Sequence, residues 1–367
     1  MAHMKILGKL ITVMVMAVIL YFAFWPVAVE PIAWQAPEDP GYQGAFAPND
    51  KLANFTALNT AGQHGPEGVV VDQQGYVYAT THEGWVIRWA PGAEKAEPWV
   101  ETGGRPLGLD LDKEGNLWVA DAFIGLLKID TQGKLHTVLT EADGVPILYA
   151  DDLVVTPNGK VYLSDASTKF SAKAVGSTYH ASLLDIMEHG LYGRIIEFDP
   201  NTNQSKVIMT NLSFANGVTA DVEGNYLLVN ETGEYRVWKY WLAGERQGES
   251  EVVIDNLPGF PDNIVRGEEG RFWLGLVSPR LPILDNLAGK PGVRKAVQRL
   301  PGFLRPGAKN YGHIVAIDGD GNVLHSLQDP AGAYPQTTGA IEAGEYLYVS
   351  SLTAPVLARL DKAELDL

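Results

Sequence analysis

The chain reads as an all-β protein: a six-bladed β-propeller with an N-terminal transmembrane helix and two partly helical insertions on its top face. Three observations predict this. A hairpin motif recurs six times, a 20-residue stretch near the N-terminus carries no charge, and two intervals between hairpins are too long. Composition permits such a fold. Of 367 residues 46% are hydrophobic and 20% charged, which rules out a largely disordered chain. The 39 Gly and 22 Pro are spread along the sequence as punctuation between short apolar runs.

The uncharged stretch is 10–29, long enough to cross a bilayer as a helix. Lys5 and Lys9 precede it, and Glu30, Glu38 and Asp39 follow. The positive-inside rule therefore leaves the N-terminus in the cytoplasm and the rest outside, periplasmic in a bacterium and extracellular or luminal otherwise. Tyr21, Trp25 and Trp34 would sit at the outer interface. A cleaved signal peptide is the competing reading, but the stretch is long for one and lacks a small-x-small site. The division expected is 1–29 stub and anchor, 30–48 a Pro/Gly-rich stalk, and 49–367 propeller. Deleting 1–44 is then expected to release a soluble propeller.

Each repeat is an apolar strand, a polar Gly turn and a second strand, as in GVVVDQQGYVYATT (68–81) and DLVVTPNGKVYLSDA (152–166). A third strand follows each hairpin, as in GRIIEFD (193–199), and a fourth follows most of those. Six four-stranded units are the pattern of a propeller. The sixth lacks a fourth strand at its C-terminal end, which KLANFTALN (50–58) would supply. The turn glycines Gly75, Gly115, Gly159, Gly224, Gly270 and Gly344 mark insertions at 166–192 and 278–311. Both leave the second strand of a unit. They therefore overhang the face where the innermost strands begin, which is where loops build function.

Eight residues before the turn glycines stand Glu67, Leu107, Asp151, Asn216, Asp262 and Gln336, the last falling on Thr337 if that hairpin is one residue looser. Equivalent positions form a ring around the axis. Four of six are oxygen-bearing and three are carboxylates. Like charges at close range need a cation. Hard oxygen ligands without imidazole or thiol select Ca²⁺ or Mg²⁺, and a wide mixed ring suits Ca²⁺. Asn263 adds a possible fifth oxygen. Cysteine is absent, which excludes thiolate metal sites and cysteine nucleophiles. A net charge of −16 repels phosphate backbones and argues against nucleic acid as a partner.

The phrases GRPLGLDLDKEGNLWVADAFIGLLKID, YADDLVVTPNGKVYLSDAS, FANGVTADVEGNYLLVNET and LPGFPDNIV resemble the strictosidine synthase-like family, which is similar to gluconolactonases and paraoxonases among calcium-dependent propellers. The resemblance runs over about 60–361. It implies a catalytic calcium held by Glu67, Asp151, Asn216 and Asp262, with Asn263 a possible fifth ligand, and hydrolysis of esters or lactones. Position 151 departs, since relatives usually carry Asn there. Paraoxonases place a histidine where Leu107 stands, and strictosidine synthases a glutamate where Gln336, Thr337 and Thr338 stand. Condensation of an amine with an aldehyde is therefore not expected.

The expected activity is an arylesterase- or lactonase-like hydrolysis in which the metal polarises a carbonyl attacked by water. Asp262 is the first candidate for the base and His82 the second, with His180 and His189 in the first insertion. No G-x-S-x-G elbow supports a serine triad. Leu183, Leu184 and Met187 recur at helical spacing in the first insertion, either to pack on the propeller or to form a lid. The second holds Lys290, Arg294, Lys295, Arg299 and Arg305 among apolar residues. Segment 281–305 would lie on a membrane surface or form a substrate-entrance rim. The alternatives are a propeller that uses calcium structurally and binds a partner, and a phosphotriester hydrolase.

Overall fold

The computed structural model describes residues 2–365 and 367. Among the described residues four sheets have four strands each, Glu141–Ala142 and Val145–Pro146 form a small ribbon, and a sheet of eight strands divides into two four-stranded units joined by one bridge, Leu274 to Gly339. In chain order the innermost strands are Val69–Val71, Pro106–Leu111, Ala150–Val155, Ala215–Ala220, Gly259–Arg266 and Thr337–Ala343. Successive strands within each unit are antiparallel. The sixth unit takes its outer strand from the other end of the chain, Thr56–Asn59 pairing with Val356–Asp361.

Three of the innermost hairpin turns are fixed by an aspartate at the first turn position. In the first, Asp72 Oδ1 accepts hydrogen bonds from the Gln74 and Tyr76 amides, and Gly75 closes the turn at φ +86°. Asp112 and Gly115 repeat the arrangement, and Asp221 Oδ1 accepts from the Asn225 and Tyr226 amides beside Gly224. An Asx-type turn ending in a left-handed glycine reverses the strand without strain.

The apolar faces meet at seams between neighbouring units. Val70, Val86, Leu109 and Val119 fill the first seam, and Ala120, Leu153 and Leu163 the second. Val154, Ile195, Val218 and Val229 occupy the third. Leu228, Ile264 and Val315 pack in the fourth, and Trp273, Ile314 and Val349 in the fifth. Leu58, Val69, Ile87 and Leu357 pack the sixth unit against the first, so the circuit of contacts is propeller-like.

Helix α1, Ala2–Phe24, contains the apolar span His3–Phe24, 22 residues whose most apolar stretch has mean hydropathy 2.3 and is unburied. By length and composition it can cross a membrane. It ends five residues before the expected limit at 29, because Pro26 cannot continue a helix. Val29 is fully buried against the folded domain.

The segment expected as a stalk lies against the insertions. Arg294 donates to the carbonyls of Ile32 and Met187, Arg280 to that of Pro37, and the Trp34 amide donates to Ala288 O. Trp34, expected at the membrane interface, stacks on His189 with centroids 3.9 Å apart. A chain begun at residue 45 would leave the buried Arg294 guanidinium short of an acceptor, a loss on the order of 3 kcal/mol. Urea unfolding is expected to find that chain clearly weaker than one begun at Trp25. Equal midpoints would refute the clasp.

The third strand of unit five, Gly312–Ile317, carries a fully buried histidine, His313, whose Nε2 lies 3.0 Å from Ser326 Oγ. Burial pushes its pKa down to about 3. The unfolded chain binds a proton near pH 6.5 and the folded chain does not, so this group removes stability as pH falls below about 6.5. Between pH 7 and 5 the loss is about 2 kcal/mol. The His313→Gln protein is expected to lose that much less than the parent in denaturation at the two pH values.

Candidate metal centre

Five of the six innermost strands break register at the same place. Pairing skips from Pro106 to Leu109, Ala150 to Leu153, Ala215 to Val218, Pro261 to Ile264 and Thr337 to Ala340. Such a bulge re-aims the residues it leaves unpaired. The first unpaired residue in each case is Leu107, Asp151, Asn216, Asp262 and Thr338. Four match the expected positions. The sixth corrects them, being Thr338 rather than Gln336 or Thr337. Two residues separate Ala343 from its partner Tyr346, whereas five separate Val155 from Val161, so counting back from Gly344 overshoots.

The ring brings together one carboxylate oxygen each from Glu67, Asp151 and Asp262, all within 4.8 Å of one another. The three residues are at most 5% exposed. Asn216 hydrogen-bonds the Asp262 carboxylate. Gly217 lets the two strands approach this closely, since a Cβ there would stand 2.4 Å from Ile264 N. Asn263 Nδ2 and Thr338 Oγ1 both donate to Glu67 O, at 3.1 and 2.7 Å. Among the described residues here, Asp151 Oδ1, Asn216 Oδ1 and Asn263 Oδ1 are buried without a hydrogen-bond donor, as is Oδ1 of Asn230, whose amide donates to Asp262 O. Buried acceptors left unsatisfied are costly, and here they share a site with three carboxylates. Their chemistry, hard oxygens of mixed charge, fits a calcium ion.

Electrostatics says the same. Burial first, then the Glu67 and Asp262 charges, raises the Asp151 pKa well above the carboxylate range. Burial followed by Glu67 does the same to Asp262. Glu67 is also raised by burial, and Arg105 opposes the shift. One guanidinium thus faces three carboxylates, and a divalent cation would balance the rest.

Arg105 is the residue that counting toward the turns overlooks. Its Nη2 donates to Glu67 Oε2 at 2.9 Å, and Nη1 to the carbonyls of Thr81 and Pro106. Its own backbone amide donates to Asp121 Oδ1. It stands two residues before Leu107, off the ring register but inside the GGRPLG phrase of the second unit.

The neighbouring Asp152 takes no part. Its two oxygens accept from the Leu153 and Val218 amides. Nor does His82 line the cavity above the cluster, among the described residues. Its amide donates to His64 O, and burial, then Arg105, pushes its pKa down. His189 is held by Glu234 at 2.8 Å and covered by Trp34, and His180 is exposed.

The cavity itself has a charged floor and apolar walls. Glu67, Asp151, Asn216 and Asp262 form the floor. Leu183 and Ile186 of the first insertion's helix, Thr178–Glu188, stand over it with Leu281, Leu284 and Pro306 of the second insertion. Phe214, Phe260 and Val277 complete the wall. The free space is about 80 Å³, room for an ion and a few waters. A larger guest requires the insertions to move.

Comparisons with known proteins find relatives over most of the chain. Residues 151–245 match the family model described as strictosidine synthase, and 44–89 match strictosidine synthase-like, N-terminal. Strictosidine synthase-like 13 of Arabidopsis thaliana is 35% identical over 317 residues, covering 77% of each chain. Adipocyte plasma membrane-associated protein of Rattus norvegicus is 29% identical, covering 90% of this chain and 92% of its own. Among solved structures, a gluconolactonase from Xanthomonas campestris superposes with TM-score 0.61 at 14% identity, covering 90% and 98%. The calcium-binding protein regucalcin from Agrobacterium tumefaciens gives 0.55 at 16%, covering 84% and 90%. These two share the fold.

Proposed function

The chain belongs to the strictosidine synthase-like family, and from that premise we propose that it is a membrane-anchored, calcium-dependent hydrolase of esters or lactones on a six-bladed propeller. The observation that carries the reading is the convergence of Glu67, Asp151 and Asp262, with the unpaired oxygens of Asp151 and Asn216, at the floor of an apolar-walled cavity. The gluconolactonase fold and the calcium-binding regucalcin support lactone chemistry and this choice of ion. The family name does not bring strictosidine synthesis with it, because Gln336, Thr337 and Thr338 offer no acid. The anchor is α1, with the propeller on the outer side of the membrane.

Calcium, when bound by Glu67, Asp151, Asn216, Asp262 and Asn263, supplies a Lewis acid for a carbonyl oxygen. The protein does the rest. Leu183, Ile186 and Leu284 hold the apolar part of the substrate and exclude bulk water from the floor. Asp262, oriented by Asn216, takes a proton from the attacking water and returns it to the leaving oxygen. Arg105 holds the Glu67 carboxylate in place and opposes the upward shift that burial imposes on it. His82 plays no part in proton transfer.

A panel of aryl esters, lactones and phosphotriesters, assayed on the full chain with calcium and with chelator, tests the reading. Ester or lactone turnover that depends on calcium is expected. Glu67→Ala and Asp262→Ala should each lower it about 100-fold or more, and His82→Ala should leave most of it. Loss on His82→Ala with calcium still bound would move the base to His82. Calcium binding without turnover of any substrate would leave a binding propeller.

A further inference from the structure

We infer that the second insertion is a bilayer-docking surface, seated in the headgroup layer beside the foot of the anchor helix. The inference rests on reading α1 as the anchor and does not depend on the hydrolase reading.

The observation behind it is a set of contacts. Arg299 donates through Nε to Trp25 O at 2.6 Å and through Nη1 to Phe22 O at 2.9 Å. Tyr21 Oη donates to Arg299 O at 2.8 Å. The C-terminal end of α1 is thereby fastened to the insertion, while the rest of the helix stands clear of the folded domain. In a spanning helix, Tyr21 and Trp25 mark the interfacial level. Phe303 follows Arg299 by four residues, so it lies within about 14 Å of that level.

The surface presented there suits lipid. Phe303 is 86% exposed, and Leu304, Ile283 and Val293 are about half exposed. Exposed apolar side chains gathered on one segment mark a contact surface. Charge points to an anionic partner. Segment 282–309 holds six basic residues and one acidic in a chain of net −16. Arg294 and Arg299 are buried on backbone carbonyls and Lys295 pairs with Glu30, which leaves three cations for the surface. Asp285, the acidic one, is paired with Arg280. Lys290, Arg305 and Lys309 are exposed among the apolar residues, with Arg305 braced on the Leu300 carbonyl and on Gln298 Oε1. An apolar patch ringed by cations beside a membrane helix matches an interface containing anionic phospholipid. A soluble protein partner would have to share that level with the headgroups.

The chain has no cysteine, so single probes are simple to place. Full-length Phe303→Cys and Val222→Cys proteins, each carrying a fluorescent NBD label, are reconstituted into liposomes of phosphatidylcholine with and without phosphatidylglycerol. Val222, 71% exposed, lies in a turn at the far end of its innermost strand from Asn216 and serves as the control. The label at 303 should shift to the blue, be quenched by headgroup-proximal doxyl lipid, and be shielded from aqueous iodide. The label at 222 should do none of these. Lipid quenching at 303 should be severalfold stronger with phosphatidylglycerol, and Lys290→Gln with Arg305→Gln should remove that gain. Quenching at 303 equal to that at 222 would overturn the inference. Shielding from iodide without lipid quenching would also overturn it, in favour of a protein contact. Equal quenching in both lipids would overturn the role of charge. Failure of the full chain to float with liposomes would instead refute the anchor.

Discussion

Stripping divalent cations from the full chain is expected to lower its stability by about 4 kcal/mol, taking as reference calcium held at a thousand times its dissociation constant. The reason is the floor of the cavity. Three carboxylates with oxygens within 4.8 Å, each at most 5% exposed, face one guanidinium. Without a cation, folding either crowds these charges or forces protons onto them, as the raised pKa values of Asp151 and Asp262 record. The fall should appear as a lower melting temperature in chelator, restored by calcium and less well by magnesium, whose octahedral demand fits a wide ring poorly. A paired variant separates metal binding from general destabilisation. Asp151→Asn with Asp262→Asn removes two charges at nearly constant shape, so it should be insensitive to chelator and more stable than the stripped parent.

Arg105→Gln should cost about 3–5 kcal/mol, the range for removing one partner of a buried ion pair. Both side chains of the Arg105–Glu67 pair are about 4% exposed. The guanidinium also satisfies the carbonyls of Thr81 and Pro106, so Lys, a single compact charge, should rescue little. Chemical denaturation measures the loss. Calcium should recover part of it, because a bound cation supplies Glu67 with a second countercharge. A loss below about 1 kcal/mol would show that Arg105 is incidental to the site.

The repeat was legible because each unit must bury the same faces and reverse at the same turn. Asp72–Gly75 and Asp112–Gly115 use one device, and a left-handed glycine marks the turn in all six units. The same regularity located Glu67, Asp151, Asn216 and Asp262, since each stands a fixed distance from its turn. It failed at the sixth unit, where a tighter turn shortens the hairpin and Thr338 takes the place assigned to Gln336. Arg105 escaped because its side chain reaches Glu67 from the neighbouring unit, 38 residues away in sequence, and no period links the two. The course of residues 29–46 was equally hidden. Proline and glycine read as a free stalk, but the carbonyls of Ile32 and Pro37 are acceptors for Arg294 and Arg280, arginines some 240–260 residues downstream. Composition gives flexibility and says nothing about which distant donors will capture a backbone.

Anomalous diffraction from crystals grown with calcium tests the metal centre most directly. One calcium peak is expected, bounded by oxygens of Glu67, Asp151, Asn216, Asp262 and Asn263. A channel without an anomalous peak at saturating calcium, or a peak held by other residues, would contradict it.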